Sequence, residues 1–511
     1  MANAVKVRRL SQYLSVRIKG SKNTLKVNLC KVPSNYGYYT SRCNRLYNED
    51  NFNVAIINRA FPAKSQVTIA IADDANEELD NRADDKLIPF EKENDKVDGK
   101  MVKVFNFNIF DGHGGDECSR YLATHLSDNI ENYKISSGSI DKLFKGYVKS
   151  IGGYWRRWYK RLNRHLSEVL KCDLDEGEGS NYHSPNQKNT IKQLYTNSSE
   201  NQPLWESKRI MESLNSHDYF ILQVYLSFLY TDYQFLTHEH DSEKNGHHSG
   251  STCSSVFLYT LDPNPGIVLQ GTDFSNVKTG NDRGDNLPFD DVFFYEQNAL
   301  SKLVVAHVGD TRVVLCDKNG LAHPLTHSHH PSNPIESRRL SRFSAGLMMT
   351  DSFGEERFIN FANTRSFGDL TAKNKGVSAE PEISQYLIGN STKLQAYKDQ
   401  NSELIASKEI RDFGGNECFL ALVTDGVTDH LSDQEIVDLV MTTTNNKGLL
   451  RGTPHEAAKE VIKFVECVGG DDNATCNIIK LNGWGNWPMM DRTGKLREDK
   501  MMQGGRARLD R

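Results

Sequence analysis

The chain has 511 residues, of which 25% are charged and 37% hydrophobic, with a formal net charge of -5. That is ordinary for a soluble protein with a large core, and it offers no global basic field to attract a phosphate backbone, so nucleic acid is not an expected partner. The nine cysteines are odd in number and contain no C-x-x-C pair, which argues against a disulfide framework or a structural zinc site.

Residues 1–48 hold ten Lys or Arg and no Asp or Glu. With Val7-Arg8-Arg9-Leu10-Ser11 mixing basic, apolar and hydroxyl residues, this is the composition of a mitochondrial transit peptide, assigned here to residues 1–35; a solvated basic tail is the alternative. Asn53 to Ile57 reads as a strand, and residues 73–100, crowded with acids, as a surface loop. The alternating run Val104 to Phe110 is a second strand, leading into Asp111-Gly112-His113-Gly114-Gly115. Cys118, Tyr121, Leu122, Leu126 and Ile130 then recur at helical spacing.

Residues 131–248 read as a long insertion. Tyr154 to Leu170 looks helical, Cys172 to Pro203 is polar, and Ser216 to Thr237 resumes a helical apolar pattern. Its most apolar stretch, Tyr219 to Tyr230, includes Gln223 and Ser227 and is too short to span a bilayer, so no transmembrane segment is expected. Strands Ser255–Thr260 and Leu300–Val308 flank a loop at 262–297 rich in Pro, Gly, Asn and Asp, the pattern of a hairpin with a long connection. A last helix, Pro454 to Val468, precedes the strand Thr475–Leu481. Period-two strands, long hairpins and few βαβ units point to antiparallel sheets in an α+β protein.

The chemistry-bearing residues cluster where apolar strands end in acids. Besides Asp111, Leu420 to Thr424 runs into Asp425-Gly426, Leu303 to Val308 into Gly309-Asp310, and Asn363 to Gly368 into Asp369. Each alone fits a turn. Several carboxylates at strand ends beside glycines are what hard divalent cations need, since Mg²⁺ and Mn²⁺ prefer oxygen ligands. His327, His329 and His330 have the numbers for a zinc site but read as loop residues.

These motifs resemble, in order, those of the metal-dependent protein serine/threonine phosphatases of type 2C: Arg45 to Asp50, Asp111 to Gly115, Gly250-Ser251-Thr252, Val308 to Arg312, Arg365 to Asp369, Ala379 to Glu382, Asp425-Gly426 and Asp472-Asn473. Trp484 to Pro488 and Asp491 to Gly494 are similar to the ending of the fungal mitochondrial branch. The resemblance implies an αββα sandwich of two antiparallel sheets flanked by helices, a catalytic domain over 36–482 and a C-terminal extension over 483–511. It places residues 331–362 where the family carries a flap beside the active site.

It also implies two Mn²⁺ or Mg²⁺ ions bridged by Asp111, with the Gly112 carbonyl on one and Asp369 and Asp425 on the other. Glu49, Asp50 and Asp472 would bind directly or through water, and Asp310 with Asp369 could hold a weaker third ion. A metal-bridging water would attack the phosphate, Arg45 would grip phosphate oxygens in its planar fork, and His113 would protonate the leaving oxygen. The implied partners are phosphoserine and phosphothreonine proteins, mitochondrial metabolic enzymes among them, in the matrix or intermembrane space, for a monomeric enzyme. The competing class is a phosphatase-like binding module without catalysis, which should have lost a metal acid or Arg45; all are present. A two-metal nuclease is disfavoured because the clearest basic stretch is the N-terminal tail.

Overall fold

The computed structural model describes residues 13–17, 24–31, 34–62, 99–135, 137–157, 216–238, 249–261, 294–295, 298–344, 348–350, 356–359, 361–401 and 411–509. The expected acid-rich loop at 73–98, the helical pattern beyond Arg157, the polar stretch 172–203 and most of the 262–297 connection lie outside them.

Sixteen described strands run in chain order. β1 (Tyr13–Arg17) and β2 (Thr24–Asn28) form a small antiparallel hairpin inside the basic N-terminal region. The first large sheet takes β4 (Asn51–Pro62), β5 (Gly99–His113), β6 (Gly250–Thr260), β7 (Leu300–Val308), β13 (Glu382–Gly389) and β14 (Arg411–Asp412). Its order is β14-β13-β7-β6-β5-β4, with β12 (Phe367–Gly368) paired to the start of β6. The second sheet is β3 (Tyr36–Ser41), β16 (Ala474–Lys480), β15 (Phe419–Val423), β8 (Arg312–Cys316) and β9 (Ala322–Pro324), in that order and antiparallel throughout. In the first sheet only the short β13–β14 pair is parallel among the described pairings. β10 (Met348–Thr350) and β11 (Glu356–Phe358) make a separate hairpin in the 331–362 segment.

Period two sorts the side chains into layers. Phe105, Phe107 and Ile109 of β5 meet Val313, Leu315, Leu420, Leu422 and Ile479 of the other sheet in one buried cluster. Val104 and Phe110 face the opposite way, into a cluster completed by α1 (Glu117–Asn132), α2 (Ser137–Ser150) and α3 (Ser216–His238). On the far side, Val314, Ala421, Val423 and Ile478 pack beneath α8 (Asp433–Lys447) and α9 (Pro454–Val468). The result is the expected αββα sandwich. Between them in chain order come α4 (Pro334–Ser344), α5 (Leu370–Lys373), α6 (Ser391–Gln400) and α7 (Asp425–Thr428), and α10 (Gly494–Leu509) follows.

Two packing features lie at the expected boundaries. α2 and α3, inside the 131–248 segment read as an insertion, are themselves the layer that covers the first sheet. The core also runs on past residue 482, because Trp484 and Trp487 pack edge-on against each other and against Phe419. Among the described residues no helix is long and apolar enough to cross a membrane.

Candidate metal and catalytic centre

The Asp111 motif is not a hairpin turn. β5 runs through His113, so Asp111, Gly112 and His113 stay in the sheet, opposite Thr252, Ser251 and Gly250 of β6. The Gly-Ser-Thr motif is therefore the strand partner of the Asp-Gly-His motif. Gly114 and Gly115, at φ +68° and +124°, then turn the chain into α1, a backbone that side chains disfavour. α1 is fixed beneath β5 by buried amides: Asn108 Nδ2 donates to Ser127 Oγ at 3.1 Å, and Ser127 Oγ donates to Asn106 Oδ1 at 2.7 Å. A Cβ at Gly250 would lie 2.3 Å from His113 Nε2 and 2.5 Å from the Asp369 carboxylate, so any side chain there would displace this pair.

Three strand ends converge. Asp111 lies two residues before the end of β5, Asp310 follows β7 and Asp425 opens α7 after β15, and one carboxylate oxygen of each lies within 4.8 Å of the others. Burial, then repulsion from Asp425, Asp50 and Asp310, holds the Asp111 carboxyl well above its ordinary range. Asp425 is raised in the same way, by burial and by Asp310. Asp50 is pushed up to about 7 by burial, although Thr475 and Thr424 donate hydroxyls to its Oδ2 at 2.7 and 3.1 Å. Buried oxygens Oδ1 of Asp50 and Oδ1 of Asp310 accept from no donor among the described residues. Clustered acids with unused oxygens fit hard divalent cations, which satisfy the lone pairs and cancel the repulsion.

The remaining expected residues ring this group. Glu49 Oε1 accepts the Gly115 amide at 2.7 Å, and Asn473 Oδ1 accepts the Glu49 amide at 2.8 Å. Arg45, its side chain 56% exposed, donates through Nη2 to Asp472 Oδ2 at 2.7 Å. Residue reasoning assigned no role to Asn473, which also donates to the Tyr47 carbonyl at 3.0 Å, or to Asn363, whose Nδ2 donates to Asp310 Oδ2 at 2.7 Å. The Asp472-Asn473 dipeptide was the available signal for the first; nothing marked the second.

Asp369 stands outside the Asp111–Asp310–Asp425 trio and is turned to His113, whose Nε2 lies 2.9 Å from Asp369 Oδ2. The reason is local: Asp369 is left-handed at φ +50°, its amide donates to the Ser249 carbonyl at 3.2 Å, and the Ser366 hydroxyl donates to its Oδ2. Burial disfavours the His113 imidazolium, but the Asp369 carboxylate outweighs it and raises the His113 pKa. The ring remains 39% exposed and can be reached from the cleft.

His327, His329 and His330 form no metal group among the described residues. His327 Nδ1 and His329 Nε2 face Glu382 at 3.5 and 3.3 Å, and His330 Nδ1 lies 2.8 Å from Ser332 Oγ. The centre thus combines an acid trio suited to cations, a partly exposed imidazole backed by a carboxylate, and a guanidinium at the rim.

The chain matches the family model described as Protein phosphatase 2C over residues 290–395 and 406–474. It is 29% identical over 398 residues to Protein phosphatase 2C homolog 4 of Schizosaccharomyces pombe, covering 78% of this chain and 76% of that protein. It is 32% identical over 185 residues to Protein phosphatase 1K, mitochondrial, of Xenopus laevis, covering 36% of this chain and 40% of that protein. A crystallised phosphatase from Toxoplasma gondii overlaps 88% of this chain and 94% of its own at 14% identity and a TM-score of 0.43.

Proposed function

We propose that the chain, which is similar to type 2C protein phosphatases in its family-model match and its relatives, is a protein serine/threonine phosphatase that hydrolyses phosphoserine and phosphothreonine in mitochondrial phosphoproteins, with two Mn²⁺ or Mg²⁺ ions in its acidic centre. The observation that carries this reading is the convergence of Asp111, Asp310 and Asp425 beside His113, with buried carboxylate oxygens left for ligands. Asp111, Asp425 and the Gly112 carbonyl would hold the ions, with Glu49, Asp50, Asp472 and Asp310 taking further positions. Bound there, divalent cations supply an acidified water near neutral pH and stabilise charge on the phosphoryl oxygens.

The protein's own groups do the rest. Arg45 waits at the rim against Asp472 and exchanges that partner for the more highly charged phosphate monoester, which its fork can grip at two oxygens. Asp369 orients the His113 ring through Nε2 and favours its protonated form, and His113 delivers the proton on its other nitrogen, Nδ1, to the departing seryl or threonyl oxygen. Asn473 and Ser119, bonded to the Glu49 amide and carbonyl, tie the 49–50 backbone to the start of β16 and to α1.

The test is hydrolysis of a phosphoserine peptide with Mn²⁺, with Mn²⁺ plus excess chelator, and by Asp111→Asn. Activity should require the metal and fall by about 10³-fold or more in the variant, as loss of several kcal/mol of charge stabilisation implies. Full Mn²⁺-dependent activity in folded Asp111→Asn would sink the assignment. Location is tested separately: a reporter carrying residues 1–48, ten of them basic and none acidic, should enter mitochondria, and a wholly cytosolic reporter would refute that part.

A further inference from the structure

The loop that carries Asp369 is held from the far side by two charges that no motif marks. Asp232, on α3, and Lys373, on α5, form an ion pair at 2.9 Å with both side chains fully buried. Asp232 Oδ1 accepts the amide of Gly368 at 2.8 Å, and its Oδ2 accepts the Tyr147 hydroxyl of α2 at 2.9 Å. Lys373 Nζ donates onward to the Ser366 carbonyl at 2.5 Å. The pair therefore clasps residues 366 and 368, on either side of Phe367, whose ring packs on Phe228 of the same helix.

What is clasped is strained. Gly368 and Asp369 are consecutive left-handed residues, at φ +68° and +50°, and for an aspartate that conformation persists only where its surroundings over-determine it. Gly368 cannot be replaced by a larger residue to ease the turn, because a Cβ would lie 2.3 Å from the Ser249 carbonyl. The turn points the Asp369 carboxylate at His113 Nε2.

We propose that Asp232, its buried charge balanced by Lys373, is a positioning residue for catalysis: by accepting the Gly368 amide, Asp232 sets the left-handed turn that aims Asp369 at His113, so that a helix in the 131–248 segment controls the proton-donating half of the centre. This rests on the hydrolytic reading above. Neither residue touches substrate; both act through Asp369. A buried ion pair replaced by neutral groups of similar volume commonly keeps the fold, whereas removing one partner strands a charge, so the two positions must be changed together.

The experiment compares two double variants of the full chain, Asp232→Asn with Lys373→Met and Asp232→Leu with Lys373→Met. Both are neutral and packed; only the first retains an acceptor for the Gly368 amide. Hydrogen exchange in the metal-free proteins should show Gly368 protected in the asparagine variant and unprotected in the leucine variant. With Mn²⁺ and a phosphoserine peptide, the leucine variant should lose about 10²-fold in kcat with KM unchanged, and the asparagine variant should stay within a small factor of the parent. Equal kcat in the two variants, or Gly368 equally protected in both, would overturn the proposal. Because exchange is read without metal or substrate, an inactive parent would refute the hydrolytic reading and leave the exchange comparison to decide the positioning of the loop. If the leucine variant does not fold, Tyr147→Phe, which removes one hydroxyl from Asp232, should lower kcat by a smaller factor at unchanged KM; unchanged kcat would refute the pair's role.

Discussion

Asp111 and His113 stand two residues apart on one strand, so both side chains leave the same face of the sheet and reach one cleft. Their tasks separate by leaving group. A serine alkoxide needs a proton to depart, while an aryl phosphate such as nitrophenyl phosphate leaves as a stabilised anion. His113→Gln should therefore depress phosphoserine peptide hydrolysis by about 10²-fold or more and aryl phosphate hydrolysis much less. Asp425→Asn should harm both alike, since nucleophile generation serves both. Steady-state kinetics on the two substrates decides it; equal losses for His113→Gln would reduce the histidine to a prop. Each of these acids and the histidine was legible in the sequence from its place after an apolar strand. Which acid faces which was not. The pairing of Asp369 with His113 spans 256 positions and depends on a left-handed turn that no periodicity signals.

At the scale of elements, the strands with strict alternation and the helix at 454–468 read directly, because one buried face imposes the period. α3 was legible as a helix, but its function was not: Asp232 is a lone acid in an apolar run, and its partners at Gly368 and Lys373 are supplied only by the fold. The strands β9 to β12 were too brief to show a period, and the longer β3, β8 and β13 and the helices α6 and α8 were not read from the sequence either. The C-terminal segment was read as an extension, yet Trp487 is buried against Phe419 and Trp484, and its Nε1 donates to Asn445 Oδ1 of α8 at 3.1 Å. Trp487→Ala should cost about 3–5 kcal/mol in urea unfolding. The kcat of the surviving folded fraction should not change, since Trp487 belongs to the helix layer behind the second sheet. An unfolding midpoint equal to the parent's would return the segment to the status of a loose tail.

For the molecule as a whole, the acidic centre makes stability depend on pH in a direction that metal should reverse. Asp50 and Glu417 are both raised to about 7 by burial, and Asp111 and Asp425 are raised as well. From the ordinary carboxyl range up to about pH 7 these four acids bind more protons in the folded chain than in the unfolded one, and their contribution to stability falls as pH rises through that window; buried His307, lowered to about 3, and His329, also lowered by burial, act in the opposite sense up to the ordinary histidine range, against the larger group of raised acids. His113, also raised, acts in the same sense near neutrality. Glu336 and Glu382 are lowered; Glu336 is held by its Arg339 and Arg365 partners, and Glu382 by hydrogen bonds from His327 and His329. Their stabilisation is lost only when pH drops below the ordinary carboxyl range. Metal-free protein should thus melt lower at about pH 7.5 than at about pH 5.5, and saturating Mn²⁺ should flatten or invert that order, because the cations bind the ionised acids. Differential scanning calorimetry with and without chelator measures it, and a metal-free melting temperature that does not fall with pH would contradict the clustering of strained carboxyls.

The second sheet is closed by its sequence extremes: β3, at residues 36–41, lies against β16, at 474–480, from Tyr36 opposite Ile479 to Ser41 opposite Ala474. The Arg45–Asp472 and Glu49–Asn473 contacts are stitched by the same closure. A chain emerging from the ribosome carries Asp111 and His113 early but cannot complete the cleft until nearly its last strand has arrived. Until then the Arg45–Asp472 and Glu49–Asn473 contacts are missing, so a half-made copy has no finished centre. The same long-range closure makes folding slow, because the entropy of joining ends more than 400 residues apart must be met before the contacts that repay it.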